Sequence, residues 1–185
     1  MTYARFHFRT PDGVFTAVFS PDGLLAVRFP PPRPATSKAS PEPPGPAPNP
    51  KLRGWFNLAA KAINAALAGR ALPKLPPLDL AQGTEFHQAV WRALTEIPTG
   101  ETRTYKQIAA RLGRPKAARA VGQACGANPI PLLIPCHRVV SAGGRLGGFS
   151  AGLAWKELLL EREARSPRPG HFPIRCSRTN WSSAP

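Results

Sequence analysis

Residues 104–126 read TYKQIAARL, then GRP, then KAARAVGQACG. The first block is predicted to be a helix over residues 104–112. Gly113-Arg114-Pro115 breaks it, and a second helix is expected from Lys116 to Gly126. Two short helices across a Gly-containing turn form either a helix-turn-helix or an ordinary αα-corner. The second helix is stripped of bulk: Ala117, Ala118, Ala120, Gly122, Ala124, Gly126 and Ala127 surround one long side chain, Arg119. Such a helix can approach a narrow groove closely with Arg119 as a wedge, or it can pack tightly inside the protein. Both uses are compatible on opposite faces.

Charge extends the reading outward. From Arg103 to Lys156 the chain has no Asp or Glu and carries nine cations: Arg103, Lys106, Arg111, Arg114, Lys116, Arg119, Arg138, Arg145 and Lys156. The expectation is a local positive field over the helix pair, suited to a phosphate backbone. The whole chain of 185 residues has a formal net charge of +15, which also points to nucleic acid.

Inside that stretch lies Ile134-Pro135-Cys136-His137-Arg138-Val139-Val140. It puts a thiol beside the commonest biological base and leads into a β-branched pair that reads as a buried strand. A cysteine attacks as its thiolate, so it needs a base or a positive field next to it. By itself the pair is also compatible with a small buried cysteine at the end of a strand.

Upstream, Gly83 to Gln88 opens a unit in which Thr84 caps a helix through Phe86, Val90, Trp91 and Leu94 that stops near Ile97-Pro98. Residues 3–8, 14–19 and 24–29 alternate and are separated by turns ending in Asp12-Gly13 and Asp22-Gly23, which predicts a three-stranded antiparallel meander. Residues 30–50 hold ten of the 24 prolines and are expected to be an extended insert. Helical rhythm returns over Leu52–Leu67, and Ala71–Leu80 is expected to be a loop. The three cysteines (Cys125, Cys136, Cys176) form no disulfide framework and suit a reducing compartment. No zinc-type spacing, signal peptide or membrane-spanning run is apparent, so a soluble cytoplasmic protein is expected.

The ordered set Thr104-Tyr105, Arg119-Ala120-Val121-Gly122, Asn128-Pro129, Pro135-Cys136-His137-Arg138-Val139-Val140, Gly147-Gly148-Phe149-Ser150, Lys156-Glu157-Leu158-Leu159 and Glu163 resembles the O6-alkylguanine-DNA alkyltransferases. The resemblance is dense from Gly83 to Glu163 and loose over residues 1–80. It implies an α/β fold: a ribonuclease H-like domain over 1–80, a mainly helical DNA-binding and alkyl-acceptor domain over 81–165, and a disordered tail over 166–185. It also implies a monomer that repairs double-stranded DNA containing O6-alkylguanine, with O4-alkylthymine as a further substrate. One alkyl group passes irreversibly to the protein after base flipping, with no cofactor and no metal.

Residue by residue, the resemblance makes Cys136 the acceptor and His137 the base acting through a water. Glu163 orients the imidazole. Asn128 braces the active-site turn, and Tyr105 donates to the flipped base and helps expel it. Ser150 contacts O6, the main chain near Cys136 and Val139 reads the guanine amino group, and Arg119 fills the gap left in the duplex. Ala120 and Gly122 belong to the helix that enters the minor groove, where helix-turn-helix motifs more often use the major groove. Lys156 is expected to be structural. The chain departs from the family pattern at Lys106, at Phe149, at Cys125 and in its basic tail. A non-catalytic lesion sensor, a helix-turn-helix transcription factor and a thiol hydrolase are the competing readings. The first conflicts with the presence of Cys136, and the last leaves the cationic stretch unexplained.

Overall fold

The computed structural model describes residues 3–30 and 50–166; the insert expected at 30–50 and the tail expected at 166–185 lie, apart from Pro30, Pro50 and Ser166, outside the described residues. The meander forms as expected, as β1 (Ala4–Thr10), β2 (Gly13–Phe19) and β3 (Leu24–Arg28) in an antiparallel sheet ordered β1-β2-β3. Alternation sends Phe6, Phe8, Phe15, Ala17 and Phe19 to one face, with Phe8 opposite Phe15 and Phe6 opposite Ala17. Helix α1 (Pro50–Leu67) covers that face, laying Phe56 against Phe6 at 5.0 Å between ring centroids. Its Pro50 occupies the first helical position, where a missing N–H costs nothing.

The mainly helical part follows as α2 (Glu85–Thr95), β4 (Arg103–Thr104), α3 (Tyr105–Arg111), α4 (Ala118–Gly126), β5 (Val139–Val140) and α5 (Leu153–Arg165). Thr84 caps α2 as expected, accepting from His87 N–H at 3.2 Å. Thr104, expected inside a helix, is instead the N-cap of α3, in a capping box with Gln107. It also belongs to β4, which pairs in parallel with β5, so Arg103 lies opposite Val139. This short ladder ties the start of the helix pair to the chain just after Cys136. The second helix of the pair starts at Ala118, two residues later than expected. Val121, Ala124 and Cys125 of α4 are buried while Arg119, Gln123 and Gly126 are exposed, so its small residues serve packing on one side and leave the other open. Trp91 of α2 closes the packed side by donating to Ala124 O at 2.8 Å.

The buried residues of sheet and helices form one cluster. β3 is a sheet edge, and such edges need a cover. Leu24 N–H donates to Pro77 O and Asp79 N–H to Leu24 O at one end, and Val27 N–H donates to Pro129 O at 2.9 Å at the other. Arg162 of α5 reaches the β1–β2 turn, donating to both Asp12 carboxylate oxygens at 2.7 Å and to Leu67 O at 2.9 Å. These bonds hold the sheet against the buried segment that follows Pro129 and hold α5, with Glu163, in register behind it.

Candidate active site

Asn128 builds the local geometry. Its side-chain carbonyl accepts from Ile130 N–H at 3.0 Å, while its amide donates to Ile134 O at 2.8 Å and to Cys136 Sγ at 3.1 Å. The bond from Ile130 decides which end of the amide is oxygen, so the N–H groups must face the sulfur. Residues 130–140 are all buried, and Cys136–Arg138 make a single 3-10 turn that the β-branched strand beyond it had hidden from sequence reading. Cys136 is 4% exposed.

Behind the turn, His137 Nε2 lies 2.8 Å from Glu163 Oε1. The other Glu163 oxygen accepts from Gly100 N–H at 2.7 Å. Arg138 completes the cage: its Nε is 3.1 Å from both Glu163 oxygens, and it donates to Ile97 O at 2.6 Å and to Thr99 Oγ1 at 3.0 Å. The nine-cation field therefore needs correcting. Arg138 is buried against Glu163, Arg103 is buried and paired with Glu101, Lys156 is buried, and exposed Arg111 pairs with Glu96. Lys106, Arg114, Lys116, Arg119 and Arg145 remain exposed without an ion pair among the described residues. Counting charges along the chain misses this because the partners come from α5 and from the residues after α2.

The electrostatics follow from burial. Burial pushes the Cys136 thiol up; the Asn128 hydrogen bond and the Lys156 ammonium pull it down without prevailing. Burial likewise pushes His137 down, against the pull of Glu163. Burial would raise the Glu163 carboxyl, but the hydrogen bond from His137 and the charge of Arg138 hold it at about 2. With His137 kept neutral by burial, the permanent charge beside Glu163 is that of Arg138. A neutral imidazole facing a carboxylate must donate from Nε2, which leaves Nδ1 as the basic nitrogen. His137 Nδ1 is buried and without a partner among the described residues, so the residue that follows the protonated thiol carries an unused proton acceptor.

The remaining residues frame this centre. Tyr105 starts α3 half-buried, and burial raises its phenol. Gly147, at φ +66°, leaves space for it: a Cβ there would come 2.8 Å from the Tyr105 hydroxyl, while a Cβ on Gly122 would sit 3.7 Å from its ring. Val139 O accepts from Lys156 Nζ at 2.6 Å, and the same ammonium donates to Leu146 O and Gly148 O. Lys156 is thus structural, pinning the loop that carries Phe149 and Ser150. Phe149 sits edge-on to His137 at 6.4 Å. Ser150 is exposed and lines a cleft of about 340 Å³ with Asn128, Pro129 and Pro131 on one side and Ala26–Phe29 of the N-terminal part on the other. Arg119 stands apart from the network, on the exposed face of α4, with Ala120 half-buried beside it. Sequence reading missed the roles of Arg138 and the Ile97–Gly100 turn; the signal was an Arg directly after Cys-His, absorbed into the charge count. Among the described residues no group of three His, Cys, Asp or Glu side chains could hold a metal ion, and no helix is long and apolar enough to cross a membrane.

Residues 85–165 match the family described as 6-O-methylguanine DNA methyltransferase, DNA binding domain. The methylated-DNA–protein-cysteine methyltransferase of Methanosarcina mazei is 58% identical over 114 residues, 60% of this chain and 70% of the relative. That of Mycobacterium bovis is 50% identical over 115 residues, 62% of this chain and 69% of the relative. Among solved structures, Mycobacterium tuberculosis OGT in complex with DNA is similar with a TM-score of 0.68 at 39% identity, covering 89% of this chain and 94% of that one.

Proposed function

The chain belongs to the methylated-DNA–protein-cysteine methyltransferases, DNA-repair enzymes that act by direct reversal, and from that premise we propose that Cys136 takes methyl or larger alkyl groups from O6 of guanine, and from O4 of thymine, once per molecule. The observation that carries this assignment is the pair of contacts that flank Cys136-His137: Asn128 on the thiol, and Glu163, held by Arg138, on the imidazole, which leaves His137 Nδ1 unpartnered among the described residues to take the thiol proton. On attack, the thiol proton passes through a water to His137 Nδ1, and the imidazolium that forms is stabilised by Glu163. The sulfur displaces guanine at the alkyl carbon. Tyr105 donates to the departing base and Ser150 to O6, where charge develops. Thiol and alkylated base supply every atom of the step, so no cofactor enters it.

The target must leave the stack to reach a sulfur that is 4% exposed. In this reading α3 and α4 act as a helix-turn-helix within a DNA-binding domain over 81–165. The open face of α4, with Ala120 and Gly122, enters the minor groove, and Arg119 fills the gap. The main-chain carbonyls near Cys136 and Val139 read the guanine amino group. Residues 1–80 form a ribonuclease H-like domain that braces the site, and the protein works as a cytoplasmic monomer on double-stranded DNA.

Incubation with excess duplex carrying O6-methylguanine should raise the protein mass by one methyl group and no further, with no change on undamaged duplex. A protein that binds the lesion yet keeps its mass, or that repairs many lesions per molecule, contradicts the proposal.

A further inference from the structure

We propose that Arg28, supplied by the N-terminal sheet, is a specificity-determining residue of the alkyl-transfer site and favours O6 substituents that carry a negative charge, with carboxymethyl as the simplest case. The inference rests on the alkyltransferase reading above and extends it to the chemical class of the alkyl group. The cleft beside Ser150 joins the two parts of the molecule. Asn128, whose amide touches Cys136 Sγ at 3.1 Å, belongs to its wall together with Pro131 and Ser150. Opposite stands Arg28, the one charged residue among those lining the cleft. A methyl group is about the size of a water molecule, roughly 30 Å³ in the liquid. The cleft of about 340 Å³, which Cys136 does not itself line, therefore offers space beside Asn128 for the outer part of a substituent larger than methyl.

Arg28 is held at this place. Its predecessor Val27 is buried and bonded through N–H to Pro129 O at 2.9 Å. Its successor Phe29 packs edge-on against Phe149 of the Ser150 loop at 5.9 Å and against Trp155 at 4.9 Å. Strand alternation then turns Arg28 away from the buried face. The side chain is exposed and makes no ion pair among the described residues. The nearby Gln82 amide is engaged with Leu25 O at 3.0 Å, so Arg28 is the available cationic donor of this wall. A guanidinium fork matches a carboxylate in geometry as well as charge.

With a carboxymethyl lesion, the Cys136 sulfur attacks the methylene carbon. The S–C bond forms and the C–O6 bond breaks, with its electron pair going to O6. The proton that left the thiol is balanced by the proton guanine gains, and the product is S-carboxymethyl-Cys136 with its carboxylate facing Arg28. The test compares single-turnover rates on otherwise identical duplexes carrying O6-carboxymethylguanine or O6-methylguanine, for the wild-type chain and for Arg28→Ala, Arg28→Lys and Arg28→Glu. The ratio of carboxymethyl to methyl rate should fall about tenfold in Arg28→Ala, as expected for loss of one charge-assisted hydrogen bond. It should fall further in Arg28→Glu and recover in Arg28→Lys. A ratio unchanged by all three variants, including the case where both rates drop together as for a phosphate contact, overturns the role of Arg28. Absence of methyl transfer by the wild-type chain instead defeats the underlying alkyltransferase reading, and this inference with it.

Discussion

Arg119 and Arg138 come from the same anion-free stretch of the chain, yet one stands in solvent on α4 while the other is 3% exposed and wrapped around Glu163. The same division runs through the other cations of that stretch. Lys106, Arg114, Lys116 and Arg145 are exposed, whereas Arg103 and Lys156 are buried on backbone carbonyls or carboxylates. Residue type is nearly constant across the two groups, so the difference lies in what the fold places opposite each. A cation facing water is a surface field that salt screens. A cation facing a buried carboxylate fixes one protonation state and is screened much less. The helix pair and the thiol centre should therefore respond differently to mutation, pH and salt.

The sharpest way to break this contrast is Glu163→Gln. It leaves Arg138 charged and half-partnered in the core, which costs about 3–5 kcal/mol by analogy with other broken buried ion pairs; denaturant unfolding measures it. The pH dependence carries a sign. Glu163 is held at about 2 against an ordinary 4.5, so its contribution is complete above about pH 4.5 and is lost as pH falls toward 2. His137 is depressed below 6.5, so acidification also destabilises the fold as the unfolded chain takes up the proton that folded His137 refuses. In Glu163→Gln the loss between about pH 4.5 and 2 should disappear. If the wild-type chain shows no such acid loss, the charge assignment at Glu163 is wrong.

Asn128→Ala should come next, at about 1–3 kcal/mol of stability, because it strands Ile130 N–H in a buried turn and leaves Ile134 O with the Cys136 N–H alone. The reaction rate should fall with it, since the sulfur loses the one side-chain donor it has among the described residues; retention of the full rate at saturating DNA would remove Asn128 from the chemistry. Methylation of Cys136 is expected to lower stability by about 1–3 kcal/mol, because the sulfur is 4% exposed and the first added carbon must part the packed turn around it before reaching the cleft. Melting the protein before and after reaction checks this, and an unchanged midpoint counts against a tight pocket. On the exposed side the effects should fall on DNA alone. Arg119→Ala should slow transfer from duplex far more than transfer from the free alkylated base, and equal slowing on both would remove its finger role. The smallest expected change is Lys116→Ala, which should reduce the slope of log affinity against log salt by about one and leave stability unaltered.

Much of this was legible beforehand, and the reasons are local. The meander follows from period-two alternation broken at Asp12-Gly13 and Asp22-Gly23, and α2 follows from Thr84 ahead of a helical repeat. Cys136 and His137 stand out as a pair, while Asn128 and Glu163 follow from the family resemblance; Asn128 bonds Cys136 and Glu163 bonds His137. What escaped was set at long range. β4 and β5 have two residues each and too few positions to show a period, and Thr104 signals a helix start and a strand end equally well. Arg138 finds Glu163 25 residues away, and Lys156 finds Val139 17 residues away, distances over which charge patterning is silent. Arg28 carries no signal beyond its place in the third strand of the meander, because its cleft is completed by Asn128 and Ser150, which lie far along the chain.

The central claim is that one particular buried thiol is the acceptor. A second buried cysteine, Cys125, is pushed by burial to about 12 and, among the described residues, has no side-chain hydrogen bond such as Asn128 gives Cys136, which makes it an internal control. Both thiols lie between Arg119 and Arg138, so tryptic digestion leaves them on one peptide and the fragment ions must separate them. After reaction with O6-methylguanine duplex, the account predicts the methyl group on fragments containing Cys136 and none on those ending at Cys125. A methyl group on Cys125, or an unmodified peptide from protein that has consumed its lesion, would contradict it.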